Sequence, residues 1–319
     1  MRRHFVYITI GIGMMLALSG CQKDIDVFEP AELTSGDISR FFEAAKTTPL
    51  SYSWEASKEQ VLPVPGSGQI VIPPNVLAMQ DGSPVAGVVQ ANLLEIHNKG
   101  SLIRNNAATA SNSRLLESAG IVFLEVRKDG QLLRIAEGQN ISLQLSTANY
   151  NPQLRLFSGN VSDANELEWT EINEQETSIR AAEFFNESSG EWEEGFEILT
   201  GKLGWLQCAR YAENGPGNAT ACVRLPVGFS LQNTAAFVAL QSFNTVIRMD
   251  ESDEEGTYSI CRSGLPTGVK AEIIVITESD DEGNYYFSRQ PAIIMENLTI
   301  NIVPEQVQLS DIMLALETL

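Results

Sequence analysis

The chain has 319 residues, with 21 Lys and Arg against 41 Asp and Glu, a formal charge of −20, and 43% hydrophobic residues. That apolar content supports packed cores for about two domains and excludes disorder over the whole length. The acidity excludes nucleic acid as a partner, because such a surface repels phosphate backbones.

Arg2 and Arg3 precede an uncharged, largely apolar stretch from Phe5 to Leu18. At about 1.5 Å per residue a helix of that length covers about 21 Å, short of the roughly 30 Å hydrocarbon core. The stretch therefore reads as the h-region of a signal peptide. Leu18-Ser19-Gly20-Cys21 resembles a bacterial lipobox, in which the cysteine thiol is acylated and becomes the new N-terminus after cleavage. That resemblance implies a signal peptide over 1–20, lipid attachment at Cys21 and a membrane partner reached through the lipid. Several acyl chains, each contributing about 0.8 kcal/mol per buried methylene, give durable anchoring. Gln22-Lys23-Asp24-Ile25-Asp26 resembles the surface-export signal of Bacteroidota lipoproteins, and equally reads as a solvated tether. The expected location is the outer membrane, exposed at the cell surface.

The tether, 21–50, carries one short helix: Ser35 or Asp37 can cap it, and Ile38, Phe41, Phe42 and Ala45 recur at helical spacing. Strand signals follow. Gln69 to Ile72 is β-rich and ends at Pro73-Pro74, Asp81-Gly82-Ser83-Pro84 is a turn, and Val89, Ala91 and Leu93 alternate with polar residues. Arg104 to Ser118 reads as a long polar connection. Ile121 to Arg127 and Gln131 to Ile135 flank Lys128-Asp129-Gly130, a hairpin signal because glycine accepts positive φ, and Ile141, Leu143 and Leu145 alternate again.

The run Ile70-Val71-Ile72-Pro73-Pro74-Asn75-Val76-Leu77, a D-G turn and a strand ending Glu95-Ile96 resemble ZU5-type β-sandwich modules, which open on an I-P-x-G/N-A/V-L segment. Leu115-Leu116-Glu117-Ser118-Ala119-Gly120 and the Lys-Asp-Gly hairpin are similar to segments of such modules in Bacteroidota surface lipoproteins. The resemblance covers Val61 to Thr147, and departs from the family pattern at Asn75-Val76, where Gly-Ala is usual. It implies a scaffold that mediates contacts, over 51–148, and no catalytic residues.

Asp163 to Glu197 holds twelve acidic residues and one basic residue, Arg180, interspersed with Trp169, Trp192 and phenylalanines. It reads as exposed short strands in an acidic connecting segment, 149–222. Trp169 and Trp192 are the pair expected to stack on a ligand such as a glycan, whereas Trp54 and Trp205 sit among apolar residues and read as core. Val223 to Leu231, Ala236 to Leu240, Thr245 to Met249, Thr257 to Ile260, Ala271 to Thr277, Tyr285 to Ser288 and Leu298 to Val303 give seven short strands. They suggest a second, Ig-like or prealbumin-like sandwich over 223–319. A C-terminal helix capped by Ser310 carries Ile312, Leu316 and Leu319. The fold class expected is all-β: two β-sandwich domains in tandem with a short helix at each end.

Beyond Cys21 three cysteines remain, Cys208, Cys222 and Cys261. Cys208 and Cys222 bracket a loop rich in Asn, Gly and Pro and are the expected disulfide; three buried thiols are the alternative. Their spacing matches no zinc site. Only two histidines are present, His4 and His97. Imidazole-dependent catalysis would thus fall to His97, which no nucleophile motif accompanies. Asp250 to Gly256 and Asp280 to Asn284 offer oxygen ligands for calcium without EF-hand spacing. No cofactor is expected. These features together predict a membrane-anchored, non-enzymatic cell-envelope lipoprotein with a binding, adhesion or structural role at the cell surface, its partner a glycan or an envelope protein. The rival reading is a carboxylate-dependent glycoside hydrolase, since paired carboxylates need no histidine, or a glycan-processing accessory lipoprotein.

Overall fold

The computed structural model describes residues 36–319, apart from 65–67, 112–113, 148–149, 162–166, 174, 176, 213–216, 253–258 and 279–283. Cys21 and its flanking segment lie outside the described residues, as does most of each calcium candidate loop. In chain order come α1 (Ile38–Ala45), β1 (Leu50–Glu55), β2 (Gln60–Val64), β3 (Gly68–Ile72), β4 (Leu77–Ala78), β5 (Val88–Ile96), α2 (Lys99–Arg104), β6 (Ala110–Ser111) and β7 (Arg114–Lys128). Next are β8 (Gln131–Leu132), β9 (Arg134–Ile135), β10 (Ile141–Ser146), β11 (Arg155–Val161), β12 (Leu167–Glu171), β13 (Thr177–Asn186), β14 (Glu191–Thr200) and β15 (Gly204–Tyr211). The chain closes with β16 (Ala219–Arg224), β17 (Thr234–Leu240), β18 (Thr245–Met249), β19 (Glu251–Ser252), β20 (Ser259–Leu265), β21 (Lys270–Glu278), β22 (Tyr285–Ile293), β23 (Asn297–Asn301), β24 (Glu305–Val307) and α3 (Leu309–Glu317).

The fold is all-β with short helices near both ends, as its alternating apolar pattern requires. Val89, Ala91 and Leu93 of β5 and Ile141, Leu143 and Leu145 of β10 point into one core between an eight-stranded sheet (β1-β5-β7-β15-β11-β12, with β6 and β8 on β7) and a five-stranded one (β13-β14-β10-β3-β2). A second sandwich pairs a four-stranded sheet (β19-β20-β16-β23) with a five-stranded one (β18-β17-β21-β22-β24) around Val223, Val238, Leu240, Ile260 and Ile273. Asp129 and Gly130 both take positive φ, which closes the β7–β8 hairpin as its sequence dictates.

A third core lies between the two sandwiches. Leu94, Ile96, Leu116 and Phe157 from the eight-stranded sheet meet Phe237, Ile274 and Ile276 from the second sandwich, with Phe41 and Phe42 of α1, Leu102 and Ile103 of α2, and Ile312 and Leu316 of α3 wedged among them. Buried hydrogen bonds cross the same seam: Thr245 Oγ1 donates to the Leu116 carbonyl at 2.8 Å, and the Val246 amide donates to Thr109 Oγ1 at 2.9 Å. Asp37 caps α1 through the Ser39 amide at 2.9 Å, while Glu278 accepts from the Asp37 amide at 2.7 Å and ties the helix to β21. Gly36 fits there because a Cβ would lie 2.0 Å from the Glu278 carbonyl oxygen.

Four expectations are corrected. Residues 149–222 do not connect two domains: β11, β12 and β15 join one sheet of the first sandwich and β13 and β14 the other, because Leu156, Phe196 and Ile198 are needed in its core. Arg104 to Ser118 is no plain connection, since α2 ends at Arg104 and β7 already begins at Arg114. The C-terminal helix is capped by a Gln308–Asp311 capping box rather than by Ser310. The disulfide joins Cys222 to Cys261, not to Cys208. These two stand directly opposite in the β16–β20 register, whereas Cys208 is buried in the first core as a free thiol, its pKa raised above the usual thiol range by desolvation.

Candidate functional site

The acidic segment places its two tryptophans on different sheets. In β12 the alternation Leu167-Glu168-Trp169 turns Leu167 and Trp169 inward and Glu168 outward. Trp169 is 3% exposed, packs in the seam between the sandwiches, and donates from Nε1 to the Ala108 carbonyl at 2.8 Å. It is a core residue and forms no surface with Trp192, which corrects the expected pairing. Trp192 is 73% exposed.

Its neighbour is Phe185. The turn between Asn186 and Glu191 sets the register of the β13–β14 ribbon so that Phe185 stands opposite Trp192 and Glu183 opposite Glu194. The two rings meet edge to face with centroids 6.0 Å apart, and Phe185 is 45% exposed. No motif in the sequence marks Phe185; the Ser188-Ser189-Gly190 turn carries the register that sets it opposite Trp192. Trp192, Glu194 and Phe196 alternate onto one face of β14. Phe196 enters the core, whereas Trp192 and Glu194 are exposed.

The opposite face of the ribbon is locked. Gln69 of β3 donates from Nε2 to the Phe185 carbonyl at 2.8 Å and accepts from the Glu187 amide at 3.1 Å. Ser146, Ser189 and Asn186 all donate to Glu193, and these bonds hold its carboxyl below the usual carboxylate range. Arg180 and Ser142 donate to Glu197 at 2.8 and 2.7 Å. Gly195 allows the close approach to the neighbouring strand β10, since a Cβ there would lie 2.0 Å from the Leu145 carbonyl oxygen. A cleft of about 320 Å³, lined by Tyr150, Ala181, Glu183, Glu194 and Gly195, runs beside the cross-strand glutamate pair. The result is a fixed ribbon carrying an aromatic pair, two opposed carboxylates and a cleft on its free face. Such a surface can stack on a flat apolar face and accept hydrogen bonds from hydroxyl or ammonium groups.

The remaining candidates sit elsewhere. Trp54 lies in the first core, and Trp205 is half-buried on Phe123 of the neighbouring strand. Among the described residues no group of three or more His, Cys, Asp or Glu is placed to hold a metal. Asp250, at the edge of one calcium candidate loop, accepts from Arg262 at 2.9 Å.

His97 directly follows β5, beside Glu95, with Nδ1 3.8 Å from Oε1. The Glu95 side chain is only 7% exposed, and desolvation pushes its pKa up to about 7. The native state therefore holds this proton through a range in which the unfolded chain has already released it. The associated stability is complete below the unfolded value near 4.5 and is lost as pH rises through about 7, an effect on the order of 3 kcal/mol. Urea melts from pH 5 to 8.5 should show this decline in the wild type and a flatter profile for Glu95→Gln. Parallel profiles would remove Glu95 as its source.

No family model matches the chain, and no curated protein matches it. Among solved structures, the Bacillus anthracis TIE protein is similar over 69% of this chain and 41% of its own length, at 11% identity and a TM-score of 0.20. This chain thus spans less than half of that protein, and a likeness at that score carries no argument. Among the described residues no helix is long and apolar enough to cross a membrane.

Proposed function

We propose that this chain is a membrane-anchored, non-enzymatic cell-envelope lipoprotein that presents the β13–β14 ribbon to a glycan or to an envelope protein. The observation that carries the reading is Trp192, an indole 73% exposed on a ribbon whose other face is fixed by hydrogen bonds. Tryptophan beside a second exposed aromatic ring, here Phe185, is the composition enriched at recognition surfaces. The lipobox-like Leu18-Ser19-Gly20-Cys21 supports lipid attachment at Cys21, and the acidic residues after it support display at the outer surface of the outer membrane. The ZU5-like segment, Val61 to Thr147, supports a scaffolding role for the first sandwich.

One observation favours a second reading, a carboxylate-dependent glycoside hydrolase: Glu183 and Glu194 face each other across the strands beside a cleft. Screening the purified protein on a glycan array and a glycosidase substrate panel separates the two. Binding without turnover, lost about tenfold or more in Trp192→Ala and Phe185→Ala, is the expected result. Turnover abolished by Glu183→Gln or Glu194→Gln would instead establish the hydrolase. Membrane fractionation of Cys21→Ser should yield a soluble protein or an uncleaved precursor, and a processed form still held in the membrane would refute the anchor.

A further inference from the structure

Beside the C-terminal end of α1, the outer face of the eight-stranded sheet carries a groove of about 290 Å³, distinct from the ribbon. Phe42, Leu94, Phe123, Val161, Leu167 and Trp205 line it, with Trp205 lying on Phe123 at 4.8 Å between ring centroids. Its polar rim is mostly committed: Lys46 pairs with Glu43, and Asn105 both accepts from the Thr47 amide and donates to the Thr47 hydroxyl.

Arg104 is the exception. It closes the last turn of α2 and lines the groove half-buried, and its Nε is shielded from solvent with no hydrogen-bond partner among the described residues. A guanidinium taken partly out of water without a counter-ion is costly, and an arriving anion relieves that cost. Apolar walls with one oriented charged group are the usual anatomy of a small-molecule site.

We propose that this groove binds a monocarboxylate with an apolar tail, of the fatty-acid class, its carboxylate on Arg104 and its tail along Phe123 and Trp205. Among the described residues one uncommitted cation lines the groove, which selects a single negative charge, and the Glu43 carboxylate on the same rim disfavours a more highly charged headgroup. A guanidinium binds a carboxylate through paired hydrogen bonds, so loss of that contact weakens binding about tenfold or more.

The test titrates sodium dodecanoate, below its micellar concentration, into the compact unit Glu32–Leu319, which contains all three cores. Tryptophan fluorescence is the readout and Trp205→Phe the blank. A saturable change that is absent from the blank and shifted about tenfold or more to weaker affinity in Arg104→Gln is expected. Val161→Glu, at a side chain 55% exposed and hence tolerant of substitution, places a repelling carboxylate in the groove and should weaken binding comparably. It decides the matter if Arg104→Gln fails to fold. A non-saturating response, a signal that persists in Trp205→Phe, or wild-type affinity in the folded groove variants would overturn the proposal.

Discussion

Trp169→Ala should lower the unfolding free energy by about 3–5 kcal/mol, while Trp192→Ala should change it by less than about 0.5 kcal/mol. The two residues lie in one acidic stretch and differ only in where the strands carry them. Trp169 fills the seam between the sandwiches, its ring packed over Gly159, where a Cβ would lie 2.9 Å from Cζ3. Truncation opens a large cavity there and strands the Ala108 carbonyl that now accepts the indole N–H. Trp192 leaves only its edge contact with Phe185 and returns an exposed ring to water. Urea denaturation of the two single mutants measures both effects. A destabilisation of several kcal/mol in Trp192→Ala would mean that the ring is structural and would remove the basis for a recognition surface on the ribbon.

The contrast shows which features of this chain are legible without coordinates. Leu167-Glu168-Trp169 already has the period-two pattern that turns Trp169 inward, but the acidic composition around it masks that signal. Local patterns read directly: the α1 face, the alternation in β5 and β10, and the Asp129-Gly130 turn all depend on neighbours in sequence. The first half of β7 does not read as a strand, because Leu115 and Leu116 are both buried, one in the core of the second sandwich and the other in the seam. Such a strand has no polar face to alternate with. The disulfide was hidden for a related reason. Proximity in sequence favours Cys208 with Cys222, whereas the β16–β20 register places Cys261 opposite Cys222. Phe185 is not legible in the sequence because its significance lies in a cross-strand pairing with Trp192. Arg104 is not legible either, because an unpaired guanidinium depends on surroundings that only the fold assembles.

A fragment beginning at Val223 should be unfolded on its own, although the last hundred residues read as a separate sandwich. The cut passes through β16, which lies between β20 and β23 and holds their sheet together. Removing Ala219 to Cys222 takes away the pairings of Thr220 with Asn297 and of Ala221 with Leu298 and Arg262, and breaks the disulfide. The damage extends to the other sheet, whose outer face carries Phe237, Ile274 and Ile276 into the seam core supplied by α1, α2 and the first sandwich. Exposing each such side chain costs about 1.5–3 kcal/mol, so the sum is comparable with the roughly 5–15 kcal/mol that holds a domain folded. Circular dichroism and urea titration of Val223–Leu319 should therefore show no cooperative transition. A longer fragment that restores β16 should regain strand content but still melt well below the intact chain, because its seam face remains in water. If Val223–Leu319 instead melts cooperatively as a β protein, the second sandwich is independent of both β16 and the seam, and the shared core is contact without thermodynamic consequence.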